Sequence, residues 1–584
     1  MKQIPIINKF VQELNPFQEA LEKCRLAFYI IFCFAFCINI LMLITPLYSL
    51  QVLDRVIGSG NIETLIMLSL IIGTIYFVHT LMQIARSFTM IRIGIWLENN
   101  ISPMLLSHSI ASSAIRQSLS TGQLLRDFQL VKNFLTSVGL NTILDAPWTI
   151  PYVIVIFMIH PYIGYLTVVG GIVIIILAFV NAAITNRNLG EATEYSIKAL
   201  NQVEIANRNA EVIEAMGMMK NVSSNWSKIN QLALSKQTLA SYRNGILSNI
   251  SRFVRYIMQM CVTGIGAYIV VKTGGREMST GGMIASSILV GRALAPVDNA
   301  IELWKQINNT LKAYKRINDS FKVSNLRDKA MPMLKVTGKL DVENVSFSMP
   351  YLNPTTKQVE YKPILKNVSF DLNPGEVLAI IGPSAAGKST LSRLLVGVWR
   401  CSSGAVRLDS ANVYDWNRED FGNHVGYLPQ GVELFSGTIK QNIAKMSEEI
   451  DPEKVTDAAL MAGAHDLILK FPNGYETDIG IGGSSLSGGQ KQRIGLARAF
   501  YGNPKFIVLD EPNANLDEVG ELALSNALQL AKQKGITVVV ISHRPSVLSV
   551  VDKILVLQNG TVAVFGDREE VMNQLNNHKR SIHK

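Results

Sequence analysis

Residues 382–390 read GPSAAGKST, directly after the apolar run Val377–Ile381. Gly382, Gly387, Lys388 and Ser389 have the spacing of a phosphate-binding loop, between an expected strand and an expected helix. Glycine lets backbone N–H groups curl around phosphate oxygens without Cβ clashes. Pro383, Ser384, Ala385 and Ala386 make up the rest of the curl. Lys388 is expected to reach the β- and γ-phosphates, and the Ser389 hydroxyl, followed by Thr390, to ligate Mg2+. A second run, KFIVLDEP, ends the apolar residues Phe506–Leu509 in Asp510 and Glu511. A carboxylate at the end of a strand parallel to the first can hold hydrated magnesium. The next one is placed to deprotonate an attacking water. A third run, TVVVISH, ends at His543, whose imidazole is expected to bond the γ-phosphate and hold the water in line. Gln430, in GYLPQGVELF, is a neutral side chain suited to sense magnesium or that water.

The stretch LSGGQKQR adds a second phosphate grip. Gly488, Gly489 and Gln490 open an expected helix with Ser487 at its cap, and helix N-termini bind anions through their free N–H groups. One α/β domain can place its own loop on one phosphate face only. The second grip therefore belongs to another copy, and two chains packed head to tail enclose two nucleotides under two-fold symmetry. Nucleotide binding then joins the pair and hydrolysis releases it.

These residues need a soluble α/β scaffold, and residues 337–572 have its composition. The rest of the chain does not. Of 584 residues, 48% are hydrophobic and only 17% charged, and the apolar excess lies in residues 27–300. Six candidate spans are read at 27–49, 64–85, 146–160, 161–182, 254–272 and 281–301, each near the roughly 20 residues that cross a bilayer, the third short between prolines. Two long helical segments, 86–145 and 183–253, are rich in Lys and Arg. The positive-inside bias puts both, and both termini, in the cytoplasm.

A net charge of +10 beside such runs points to anionic lipid rather than nucleic acid. The five cysteines are odd in number and form no CxxC pair, so buried or reduced thiols are expected rather than a disulfide framework or a zinc site. The first apolar run begins near Leu26, is of span length and lacks a small-x-small cleavage site, so it is expected to be a span and not a cleavable export signal. Ile7, Phe10, Val11, Leu14, Phe17 and Leu21 recur at helical spacing, as an interfacial helix or as one docked on the chain's own cytoplasmic helices. Arg292 lies inside the sixth span, and two readings stand: it lines a pathway, or it pairs with another buried group. Asp298, six residues on, is on the wrong face to be that partner. The division expected is a cytoplasmic amphipathic segment 1–26, a transmembrane domain 27–320, a linker 321–336 around Pro332, a nucleotide-binding domain 337–572 and a basic tail 573–584.

Together GPSAAGKST, LPQ, LSGGQKQR, FIVLDEP and ISH resemble ATP-binding cassette proteins, and six spans before one cassette resemble a half-size ABC exporter along nearly the whole chain. The resemblance implies a six-helix all-α transmembrane domain followed by an α/β P-loop cassette. It also implies a homodimer, ATP and Mg2+ as cofactors, and helix turns that couple cassette closure to the spans. The stretches ITPLYSLQVLDRVIGSGNIETL, FLTSVGLNTILDAPWTIPYVIVIFMIHPYIG, NAEVIEAMGMM and GRALAPVDNAIELW resemble the ABC component of bacterial type I protein secretion, in its protease-exporting, PrtD-like branch. That implies export of unfolded polypeptides with an uncleaved C-terminal signal across the inner membrane, with a periplasmic adaptor (membrane fusion) protein and an outer-membrane channel as partners. Ile481 stands where such exporters often carry an acidic residue. NANLD, residues 513–517, fits the loop that links the two sites. The adenine-stacking aromatic is either Tyr351 or Tyr361. Export of lipids or amphiphilic small molecules is the alternative; a nucleotide-gated channel with little turnover is a second, against which Glu511 and His543 argue.

Overall fold

The computed structural model describes residues 15–116, 122–323, 336–353 and 358–582. The chain divides into two compact units, Met1–Asn325 and Leu326–Lys584.

The described residues of the first unit form helices only. Six are long and apolar enough to cross a membrane: Arg25–Ser59, Ile62–Ala114, Gly139–Ile159, Pro161–Arg208, Met219–Thr273 and Thr280–Ile301. Residue types set the breaks between them. His160 is extended (φ −161°) and Pro161 takes the first turn of the fourth helix, where its missing N–H costs nothing. Gly274 ends the fifth in the left-handed region (φ 59°). The sixth starts at Ser279, which caps it by accepting from Gly282 N–H at 3.0 Å. The third span is longer than the run between its prolines. Its helix already begins at Val138, and Pro147 is absorbed in the tight turn Ala146–Trp148. Ile62–Arg116 and Met219–Thr273 have 55 residues each. At 1.5 Å per residue each is about 80 Å long, far more than a hydrocarbon core of about 30 Å. The two polar segments are thus continuations of the spans.

Of the N-terminal periodic residues, Ile7, Phe10, Val11 and Leu14 lie outside the described residues. Phe17 and Leu21, on the helix Pro16–Lys23, pack on the chain's own helices: Phe17 is fully buried, edge-on to Phe128 and against Tyr314. Beside them the fully buried Asp127 receives two bonds from Arg316, at 2.6 and 2.7 Å, tying Gln123–Leu135 to Trp304–Val323. That bond raises the Arg316 guanidinium pKa.

The second unit contains ten strands among its described residues: β1 (Leu340–Leu352), β2 (Val359–Leu372), β3 (Val377–Ile381), β4 (Ser403–Leu408), β5 (Ala411–Asn412), β6 (Val425–Leu428), β7 (Phe506–Asp510), β8 (Thr537–Ile541), β9 (Lys553–Gln558) and β10 (Thr561–Asp567). The central sheet has the order β10-β9-β3-β8-β7-β6, and an antiparallel sheet has the order β2-β1-β4-β5. β3 pairs in parallel with β8 and β9, and β7 with β8 and β6. Both faces of the central strands are buried, as their unbroken apolar runs require. Val377, Ile507 and Val538 face one core; Leu378, Val508 and Val539 face the other. The helix Arg568–Ile582 begins ahead of the expected tail, so residue 573 falls inside an element.

Candidate nucleotide-binding site

The order β3-β8-β7 places the loop after Ile381, the loop after Ile541 and the carboxylates at 510–511 at one edge, because parallel strands end together. The first loop turns into the helix Lys388–Leu395. Gly382 is obligatory by contact: a Cβ there would stand 2.1 Å from the carbonyl oxygen of Leu557. Lys388 Nζ folds over the loop, donating to the carbonyls of Gly382 (2.8 Å) and Pro383 (3.0 Å). Ser389 Oγ donates to Asp510 Oδ1 at 3.3 Å, and Ser392 Oγ to Asp510 Oδ2 at 3.2 Å. Burial, with the charge of Glu511 adding, lifts the Asp510 carboxyl above its ordinary range, while the two hydroxyls oppose that rise.

Gln430, read from the sequence as suited to sense magnesium or the water, donates its Nε2 to Glu511 Oε2 at 2.9 Å. Glu511 holds a left-handed backbone (φ 50°), with its N–H bonded to Ile541 O at 3.0 Å. That conformation is costly for a residue with a side chain, and it turns the carboxylate out of the line of β7. Gln430, Glu511, Lys388, Ser389 and Tyr351 line one cavity of 780 Å³. Tyr351 donates to Glu360 Oε2 at 2.5 Å; Tyr361 does not line this cavity. Ser384, Ala385, Gly387 and Thr390 line it too, while Ala386 is buried beneath.

The other expected residues lie elsewhere. His543 follows β8 and is exposed, outside the cavity lining. Ser487 caps the helix Gly488–Phe500: its Oγ accepts from Gln490 N–H at 3.3 Å, and Gln490 Oε1 accepts from Ser487 N–H at 2.8 Å. Gln490 is thus committed to the cap. Ser487 and Gly488 are exposed, and a Cβ on Gly489 would meet Asn515 O at 2.8 Å. None of these four lines the Lys388 cavity.

Some partners had no distinct signal in the sequence. Ser392 carries one in retrospect, since it stands three residues after Ser389 on one helix face. Ser542 Oγ donates to Asn513 Oδ1 at 2.9 Å, Gln492 Nε2 to Pro512 O at 3.0 Å and Arg493 to Asp517 Oδ1 at 2.6 Å. These bonds tie the helix Gly488–Phe500 and the end of β8 to the loop 512–517. Only long-range pairing identifies them.

Among the described residues no group of three His, Cys, Asp or Glu side chains converges to hold a metal alone. Asp510 and Ser389 are oxygen donors, which suit a hard cation that takes its remaining ligands from water and phosphate. The residues therefore fit Mg2+.

Two family models match this chain: ABC transporter transmembrane region over residues 28–294, and ABC transporter over residues 365–514. The type I secretion system ATP-binding protein PrsD of Rhizobium meliloti (strain 1021) is 35% identical over 95% of this chain and 94% of its own. The chain belongs to the ABC transporter family, among the ATP-binding proteins of type I secretion. Mannheimia haemolytica LktB, a leukotoxin translocation ATP-binding protein, is 28% identical over 92% of this chain and 75% of its own. The fold is also that of a bacterial Atm1-family ABC exporter solved with ATP bound: TM-score 0.79, 21% identity, 94% of this chain and 96% of that one. This ABC transporter is accordingly a multi-pass membrane protein that binds nucleotide and couples ATP hydrolysis to transport.

Proposed function

We propose that the chain exports unfolded polypeptides across the bacterial inner membrane, as the homodimeric ABC component of a type I secretion system of the protease-exporting, PrtD-like branch. The observation that carries this reading is the 35% identity to PrsD along nearly the whole of both chains. The cargo carries an uncleaved C-terminal signal and passes to a periplasmic adaptor and an outer-membrane channel. Both termini are cytoplasmic, as the Lys- and Arg-rich long segments favour.

In each of two composite sites Glu511 is the base, and Gln430 orients it. Lys388 and the loop 382–390 hold the phosphates. Asp510 and Ser389 hold Mg2+, which neutralises charge on the phosphates when bound. Tyr351 stacks on adenine, in line with its place in the cavity. Ser487 and Gly489 of the second chain grip the γ-phosphate, and His543 closes on it from the end of β8. The separation of the LSGGQ cap from the Lys388 cavity within one chain supports two-chain sites.

Reconstituting secretion with a periplasmic adaptor and an outer-membrane channel of type I secretion tests the reading. Cargo should leave the cell only with all three proteins present, and removing its C-terminal segment should stop it. Export of the truncated cargo at the full rate would overturn the polypeptide-signal assignment.

A further inference from the structure

A charge at membrane depth is expensive and is matched by a partner or by water. Three carboxylates inside the spans are matched here. Asp54 caps the sixth span through Ser279 and through Gly281 N–H at 2.8 Å. Asp145 accepts from Asn39 at 2.9 Å and pairs with buried Arg86 at 3.5 Å. Asp298 accepts from Ser251 and pairs with Arg255 at 3.3 Å. Glu63 opens the second span at its tip.

Arg292 differs. It is exposed on the surface of the chain and forms no ion pair among the described residues. It stands about 18 Å along its helix from Thr280 at 1.5 Å per residue, near the middle of a core about 30 Å thick. Two buried polar side chains of other spans, His79 and Tyr152, lie within reach of its charge. Tyr152 is fixed by a 3.0 Å bond to Asn39 O, so this wall is preorganised. Hydrocarbon cannot match the guanidinium, and lipid phosphates lie at the interface. A second copy brings the same carboxylates, Asp54, Asp145 and Asp298 already engaged and Glu63 at the tip of its span, far from mid-membrane. The match has to come from a third molecule.

We propose that Arg292 receives carboxylates of the polypeptide in transit, making it a specificity-determining residue for cargo with exposed Asp, Glu or C-terminal carboxylate groups. A planar guanidinium takes a carboxylate through two parallel bonds, and an extended chain presents such groups one after another. This inference rests on the polypeptide-export reading.

The full chain in lipid nanodiscs is titrated with two synthetic unstructured peptides of equal length. One bears Asp and Glu; the other has Asn and Gln at the same positions. Binding is read by fluorescence anisotropy. The wild type should favour the acidic peptide on the order of tenfold, as charge-assisted bonds warrant. Arg292→Gln should erase the preference, and Arg292→Lys should keep part of it. Arg292→Glu should shift preference to a Lys-bearing peptide, a reversal that a merely structural residue cannot produce. Equal binding of both peptides by the wild type, or a preference that survives in Arg292→Gln, overturns the assignment and leaves polypeptide export standing. Binding of no peptide at all, with binding of an amphiphilic small molecule, overturns both.

Discussion

At the residue scale, the proposed roles of Gln430, Glu511, Asp510, Ser389 and Lys388 each have a distinct signature. Glu511→Gln leaves an oxygen that can accept from Gln430 and removes the proposed base. It should trap the ATP-bound dimer with hydrolysis down by about a hundredfold or more, the usual range for losing a general base. Single-turnover hydrolysis of radiolabelled ATP measures it, and brisk turnover removes Glu511 from the role. Lys388→Ala should instead weaken nucleotide binding, seen by equilibrium titration. Asp510 predicts a pH effect. Its folded carboxyl holds its proton above the ordinary value of 3.8. The folded state therefore binds more protons than the unfolded one in the window between the two values, and stability falls as pH rises through it. Melting of the nucleotide-free protein from about pH 4 to about pH 7 should show that slope, and Asp510→Asn should remove it.

At the element scale, the fold depends on a few joints between helices that sequence spacing does not reveal. Asp127 is fully buried, whereas the Arg316 side chain is 35% exposed. Breaking a buried pair costs about 3–5 kcal/mol, and partial solvation of Arg316 reduces that to about 2 kcal/mol. Asp127→Ala should lower the melting temperature of the detergent-solubilised chain. An apolar pair, Asp127→Leu with Arg316→Met, should recover part of the loss, because the unmatched charge is gone. A second joint is Gly426 on β6, where a Cβ would stand 2.1 Å from Ala499 O on the LSGGQ helix. Gly426→Ala should force that helix away and cost on the order of 1–3 kcal/mol, as overpacking does. The β7–β8 pairing should persist in hydrogen exchange.

At the scale of the whole molecule, the proposed two-chain site makes a complementation test. In a mixed dimer of one Lys388→Ala chain and one Ser487→Ala chain, both defects fall in one site and the other stays intact. Placing both substitutions on one chain beside a wild-type chain spoils both sites. The first dimer should keep up to about half of wild-type hydrolysis and the second almost none, the difference following from two-fold symmetry alone. Equal activity of the two dimers would refute the cross-chain assignment.

The sequence by itself determined the six apolar helices, the three buried strands that lead to Gly382, Asp510 and His543, and the family. Each of these is written locally, as run length, periodicity or contiguous motif. One local signal misled by a few residues: Pro147 read as a span end. Proline is tolerated where a tight turn takes its missing N–H. Only the tertiary structure decided that Gln430 meets Glu511, that Ser392 joins Ser389 at Asp510, that Tyr351 rather than Tyr361 lines the cavity, and that Arg292, unlike Asp145 and Asp298, forms no ion pair among the described residues. Those are contacts between residues far apart in the chain, and strand order and helix packing set them.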